Sequence, residues 1–228
     1  MIARPQLKLM LFVSRKLFFN PGVLALSLLL NLCHLTAQES RVESTPLFNG
    51  KDLSGWKTSN PADRSLWKVV DSVIVGGDGI TQIKANTFLQ TEKEYGDFEL
   101  RCLFRLSGGT GFINSGIQYR SILVDGHLTG YQADIGDGYW GDIYDEHRRG
   151  KLVGGDLRTL RHLLRSDGWN SYIVRVKGNH HELYINGIKV ADYTEKDASI
   201  PKKGVIGFQL HGGGAAKLEL RDITINLL

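Results

Sequence analysis

The stretch Phe98-Glu99-Leu100-Arg101-Cys102-Leu103-Phe104-Arg105-Leu106 alternates along its length, so that Phe98, Leu100, Cys102, Phe104 and Leu106 share one face. Successive side chains of a strand point to opposite sides, and this period of two marks a half-buried strand. Outward from it the pattern recurs in short runs separated by glycine, asparagine and aspartate. Residues 114–121, 130–136, 142–147, 169–177, 205–211 and 217–225 read as further strands. Residues 182–185 and 188–193 are joined by Asn186-Gly187, a pair that accepts positive φ and signals a two-residue hairpin. Only residues 157–164 place leucines (Leu157, Leu160, Leu164) at helical spacing, enough for a turn or two. About ten strands without long intervening helices predict an all-β fold, a two-sheet antiparallel sandwich.

The chain has 228 residues and a formal net charge of +4, with Lys+Arg 28 and Asp+Glu 24. The excess charge has an address. Arg4, Lys8, Arg15 and Lys16 lie in residues 1–37, which hold no acidic side chain, so the remainder carries 24 of each sign. A basic start followed by the apolar run Val23–Leu32 and by small Ala37 has the layout of a Sec-type signal peptide cleaved near Ala37. The apolar run is about half the roughly 20 residues that a spanning helix needs. The sequence therefore predicts a signal peptide over residues 1–37, a polar tail over 38–45 and one sandwich domain over 46–228. It also predicts a secreted or periplasmic location, with no stable membrane span after leader removal. A neutral mature chain argues against a nucleic-acid partner, Arg148-Arg149 and Lys151 notwithstanding. Cys102 is then the only cysteine, and its place on an alternating strand reads as a small core residue.

Several chemistries lack their usual support. The clusters Gly76-Gly77, Gly108-Gly109 and Gly212-Gly213-Gly214 are followed neither by Lys-Ser/Thr nor by a long helix, and read as tight turns. There is no His-Glu-x-x-His, Cys-x-x-Cys or Gly-x-Ser-x-Gly. No cofactor is evident, and a divalent metal is left open without a ligand spacing to place it. The middle strands say more. Period 2 puts Gln118 with Arg120, Gln132 with Asp134, Gln209 with His211, Tyr144 with Glu146, and Asp145 with His147. Tyr119 and Tyr131 fall on the apolar phases. An ordinary solvated face shows Lys, Glu, Thr and Ser; amides, a guanidinium, carboxyls and imidazole beside Trp140 predict a polar ligand site that binds hydroxyls.

Nine short motifs in order then resemble one family. They are Leu47-Phe48-Asn49-Gly50 with Leu53-Ser54-Gly55-Trp56, Asp97-Phe98-Glu99-Leu100, Asn114-Ser115-Gly116-Ile117, Gly130-Tyr131-Gln132-Ala133-Asp134-Ile135, and Gly141-Asp142-Ile143-Tyr144. Trp169-Asn170-Ser171-Tyr172, Asn186-Gly187, Gly207-Phe208-Gln209-Leu210-His211 and Leu220-Arg221-Asp222-Ile223 follow. The series resembles the 3-keto-disaccharide hydrolase family across residues 46–226. The resemblance implies a concanavalin-A-like jelly roll and a substrate already oxidised to a ketone at C3 of a glycoside. It implies 1,2-elimination and then hydration, a net hydrolysis. The C3 ketone acidifies the C2 proton, so the site needs a base, a partner for the enolate oxygen and an acid for the leaving oxygen. On this resemblance the expected roles are Asp134 or Glu146 as base, His147 or His211 as acid or base partner, and Arg120 on the developing oxyanion. Gln118, Gln132, Tyr144, Asp145 and Gln209 would bind hydroxyls, and Trp140 would stack on the sugar ring. A non-catalytic carbohydrate-binding module, or an interaction domain of the envelope, remains the alternative, since fold does not fix function.

Overall fold

A computed structural model describes residues 44–166 and 168–228; the predicted leader and most of the polar tail lie outside them. Fifteen strands run in chain order: β1 Thr45–Pro46, β2 Trp56–Thr58, β3 Trp67–Val70, β4 Val73–Gly77, β5 Thr87–Thr91, β6 Phe98–Gly111, β7 Asn114–Val124 and β8 His127–Gly136. They continue with β9 Ile143–Glu146, β10 Gly150–Val153, β11 Asn170–Lys177, β12 His180–Ile185, β13 Ile188–Thr194, β14 Val205–Leu210 and β15 Gly214–Leu227. One sheet has the order β13-β12-β11-β6-β15-β4-β3, with β1 added along β15; the other has the order β10-β9-β8-β7-β14-β5-β2. We call them the back and front sheets. Every pairing is antiparallel, as the predicted sandwich requires.

The alternation that opened the reading is realised in β6. Phe98, Leu100, Cys102 and Phe104 are buried, and they meet Ile117, Tyr119, Tyr131, Ala133 and Phe208 of the front sheet in one apolar cluster. Removing so much apolar surface from water is the main force holding the sheets together. Burial drives the Cys102 thiol up to about 12, which leaves it inert as a nucleophile and agrees with a core role. Tyr119 and Tyr131 are core residues as expected, stacked at 5.4 Å, but each hydroxyl is satisfied: Tyr131 donates to Glu195 at 2.6 Å, and Tyr119 shares a hydrogen bond with His181 at 3.2 Å. Asn186 and Gly187 take φ of 49° and 79°, as the β12–β13 hairpin demands.

Three local expectations change. The helix over 157–164 is a single short element, α1 Leu157–Leu160, capped by Asp156. Thr45, assigned to the tail, pairs with Ile225 as part of β1. Several cluster glycines sit inside strands rather than between them, because their partners come too close for a side chain: a Cβ on Gly76 would lie 2.5 Å from the Trp67 ring. Among the described residues, no helix is long and apolar enough to cross a membrane.

Candidate active site on the front sheet

The outer face of the front sheet carries a row fixed by strand register. Gln90 lies opposite Gly207, Gly207 opposite Gln118, Gln118 opposite Gln132, Gln132 opposite Tyr144, and Tyr144 opposite Lys151. The amides knit the row together. Ser121 Oγ donates to Gln118 Oε1 at 2.6 Å, and Gln118 Nε2 donates to Gln132 Oε1 at 3.2 Å. Gln132 Nε2 in turn reaches Asp134 Oδ1 at 2.6 Å, Glu146 Oε1 at 3.2 Å and Gln209 Oε1 at 3.4 Å. Gly116 makes this possible: a Cβ there would sit 2.5 Å from Gln132 Cδ, so only glycine lets Gln132 lie across the sheet.

Above this network opens a cavity of about 200 Å3, lined by Gln132, Asp134, Tyr144, Glu146 and His211 together with Asn86, Phe112, Asn114 and Tyr139. Its electrostatics follow from burial. Asp134 is almost wholly buried, and its carboxyl is pushed up from 3.8 to about 8, chiefly by desolvation. The nearby Glu146 and Asp142 carboxyls raise it further, while the Gln132 hydrogen bond and Lys151 oppose the shift. Burial also raises Glu146, against the pull of His147 and His211. His211 Nδ1 lies 2.6 Å from the Gly212 carbonyl, an acceptor only, so Nδ1 carries the proton and Nε2 is the nitrogen left for chemistry. Gln209 Nε2 is buried, leans toward Glu146 and closes no hydrogen bond among the described residues. Phe112 packs edge-on against both His211 (4.7 Å) and Tyr139 (5.6 Å), forming an aromatic lip.

The structure thus brings together five predicted residues in the cavity wall and places Gln118 and Gln209 behind it. Four do not belong to it. The ladder slips between Tyr119 and Ile122, and Arg120 takes φ +48°, which turns its side chain off the outer face. Its guanidinium donates to Gly96 O (2.9 Å) and Gly178 O (2.7 Å) and pairs with Asp97 (2.7 Å), tying the front sheet to back-sheet turns. Asp145 faces inward opposite Tyr131 and is saturated by Arg148 (2.7 Å) and Arg149 (2.5 Å). His147 ends β9 at φ +57°, exposed, with its ring 4.8 Å from that of His127. Trp140 points to the far side of its loop, 6.2 Å from Phe104, where it lines a separate cleft with Leu106, Ile113 and Leu164. Tyr139, its neighbour, takes the place beside the cavity. Loop residues carry no strand periodicity, so Asn86, Phe112 and Tyr139 gave no signal; Asn114 was visible only as part of a motif.

Among the described residues, the group whose metal-ligating atoms fall within 4.8 Å of one another is His180, Glu182 and Asp192. None of these lines the cavity, and Lys189 Nζ already sits 2.5 Å from Glu182 and 2.9 Å from Asp192.

The two antiparallel sheets form a jelly-roll sandwich, an architecture that lectin domains share, with a small polar cavity on one outer face. The profile of the 3-keto-alpha-glucoside-1,2-lyase-like domain matches residues 43–226, and the chain belongs to that family. A candidate glycosyl hydrolase from Parabacteroides distasonis superposes with a TM-score of 0.63 at 25% identity, covering 84% of this chain and 97% of its own. A second such protein from the same organism gives 0.59 at 23%, covering 82% and 100%. The carbohydrate binding module CBM66 from Bacillus subtilis gives 0.57 at 15%, covering 75% and 95%, and so shares the fold. A search of curated proteins found no match.

Proposed function

We propose that the protein cleaves glycosides carrying a ketone at C3, by 1,2-elimination followed by hydration. The observation that carries this reading is the pairing, in one cavity of about 200 Å3, of the His211 imidazole, held at Nδ1 by the Gly212 carbonyl, with the buried Asp134 carboxyl that desolvation pushes up to about 8. That volume is the scale of a single sugar ring, well below the roughly 300–1,000 Å3 of sites for drug-sized ligands. His211 Nε2 removes the C2 proton, and the electron pair moves to the C3 oxygen as an enolate. Asn114, in the cavity wall, offers an amide donor for that oxygen. The enolate collapses back to the ketone as the C1–O bond breaks, and Asp134 gives its proton to the departing oxygen. Water then adds across C1=C2: the Asp134 carboxylate takes a proton from water, hydroxide joins C1, and protonated His211 returns a proton to C2. The product is the free 3-keto sugar, and both groups are back in their starting states. Glu146 and Tyr144 hold hydroxyls, and Tyr139 with Phe112 replaces Trp140 as the stacking lip.

The assay is incubation with a 3-keto-glucoside, following both aglycone release and absorbance of the unsaturated ketone. Turnover abolished in His211→Ala supports the reading. Saturable binding without turnover would assign the second reading, a carbohydrate-binding module, which the amide-rich wall also suits. The export inferred from residues 1–37 goes with either reading, since it concerns the address and not the chemistry.

A further inference from the structure

We propose that Lys151 is the positioning residue of this cavity: its ammonium, seated between Asp142 and the ring of Tyr139, is the positive charge that offsets the Asp142 carboxylate next to Asp134. The proposal rests on the reading of Asp134 as the working acid. Among the described residues, the cavity wall itself holds two carboxyls and no Lys or Arg. Arg120, the cation expected in the site for the developing oxyanion, is committed elsewhere.

Lys151 is placed by register. It stands on β10 opposite Tyr144, which is opposite Gln132, so its side chain rises from the same outer face two strands away. Lys151 Nζ lies 2.6 Å from Asp142 Oδ2 and 5.6 Å from the centre of the Tyr139 ring. Both partners are bolted to Asp134 through the backbone. Asp134 N donates to Asp142 O (3.0 Å), Gly141 N donates to Asp134 O (3.2 Å), and Asp142 N donates to Tyr139 O (3.0 Å). Asp142 Oδ1 also accepts from Gly155 N at 2.8 Å, which holds the carboxylate that receives the ammonium. Lys151 therefore secures a cavity-lining ring and a carboxylate beside the acid at once, from a side chain half in solvent.

The groups facing Asp134 come from several elements. Glu146 on β9 and Asp142 in the β8–β9 turn raise its pKa, and Lys151 on β10 lowers it; the Tyr172 hydroxyl on β11 touches its backbone carbonyl at 3.4 Å. His211 on β14 shares the cavity and, with His147 after β9, pulls on Glu146, whereas Lys151 is the cation paired with the Asp142 carboxylate. Removing it leaves three carboxyls facing one another in a poorly solvated space, which must favour protonation of Asp134.

The experiment is an NMR titration of the Asp134 side-chain carboxyl in the ligand-free protein, for wild type, Lys151→Met and Lys151→Arg. The methionine keeps the aliphatic stem and loses the charge; the arginine keeps the charge. Lys151→Met should move the Asp134 midpoint up by about half a unit to one unit, the reach of a partly exposed opposite charge. The alkaline limb of kcat/KM on a 3-keto-glucoside should move with it, and Lys151→Arg should stay within about 0.2 units of wild type. An Asp134 midpoint that does not move in Lys151→Met, or that moves equally in Lys151→Arg, overturns the proposal. The titration needs no substrate, so a protein that turns over no 3-keto glycoside would sink the functional reading and leave this test intact.

Discussion

Asp134→Asn should make this protein more stable in mild alkali. In the folded state the Asp134 carboxyl titrates at about 8 and in the unfolded chain near its ordinary 3.8. Between those values the native state holds a proton that the unfolded state has lost. Stability therefore falls as pH rises through that window, by at most about 1.4 kcal/mol per pH unit. Between pH 5 and pH 8.5 the carboxyl accounts for roughly 3–4 kcal/mol of lost stability, the upper end holding if burial is not relieved by local movement. Asparagine cannot ionise, yet its Oδ1 can still accept from Gln132, so the variant should lose this slope and keep its fold. Glu146, also raised by burial, leaves a residual slope in the same direction, which is why the comparison is between the two proteins. The depressed carboxyls do not interfere. Glu219, held down by its hydrogen bond from Arg105, and Asp78, held near 2 by the Thr81 and Ile80 backbone, contribute stability that is lost only as pH falls through their lowered values. Urea unfolding followed by tryptophan fluorescence reads the effect, because Trp56 and Trp67 are buried. With a slope of roughly 2 kcal/mol per molar urea, the fall in midpoint from pH 5 to pH 8.5 should be about 1.5–2 M larger in wild type than in Asp134→Asn; His181, which burial pulls down to about 3, adds stability to both proteins as pH rises through its ordinary 6.5 and cancels in the comparison. Equal drops in both proteins would refute the assignment of a desolvated, protonated Asp134.

Other outcomes follow from the same geometry. Arg120→Ala should cost roughly 3 kcal/mol of stability, because it strips three hydrogen bonds from a buried guanidinium and unties the sheets, while the protein that remains folded keeps its kcat; a normal melting temperature with lost turnover would return Arg120 to the site. Tyr139→Ala should raise KM for a 3-keto-glucoside by about tenfold with little change in unfolding, whereas Trp140→Ala should act on stability first. Equal KM values in wild type and Tyr139→Ala would remove the aromatic lip from the binding account. N-terminal sequencing of the exported protein should begin near Gln38, and a mature chain that begins at Met1 would contradict the leader.

Alternation in Phe98–Leu106, the Asn186-Gly187 turn and the recurring short apolar runs were enough to predict the sandwich, because burial of one sheet face imposes period 2 on the chain itself. Short edge elements were harder to see. Lys151-Leu152-Val153 in β10 read only as the end of a basic cluster, since a four-residue strand offers too few alternations to stand out. Within the site, Gln132, Asp134, Tyr144 and Glu146 were legible for the same reason as the core: each lies on a regular stretch of β8 or β9, where facing is counted off in twos.

Asp145 was misplaced on a regular strand, where period 2 itself sets it on the face opposite Tyr144 and Glu146; the other three misplaced residues sit where that counting breaks. Arg120 follows a slip in register, His147 and Gly141 take positive φ, and Trp140 rides on a turn, so the side to which each points is set by backbone geometry that no periodicity records. By itself, then, the sequence determined a strand-rich sandwich, a core, a balance of charge after residue 37 and the candidate carboxyls and amides. Only the tertiary structure decided which of them share a cavity, that Phe112 and Tyr139 close over it, and that Asp134 is desolvated enough to keep its proton. Those properties depend on distances between strands far apart in the chain and on water excluded from between them, and neither quantity exists until the two sheets have closed.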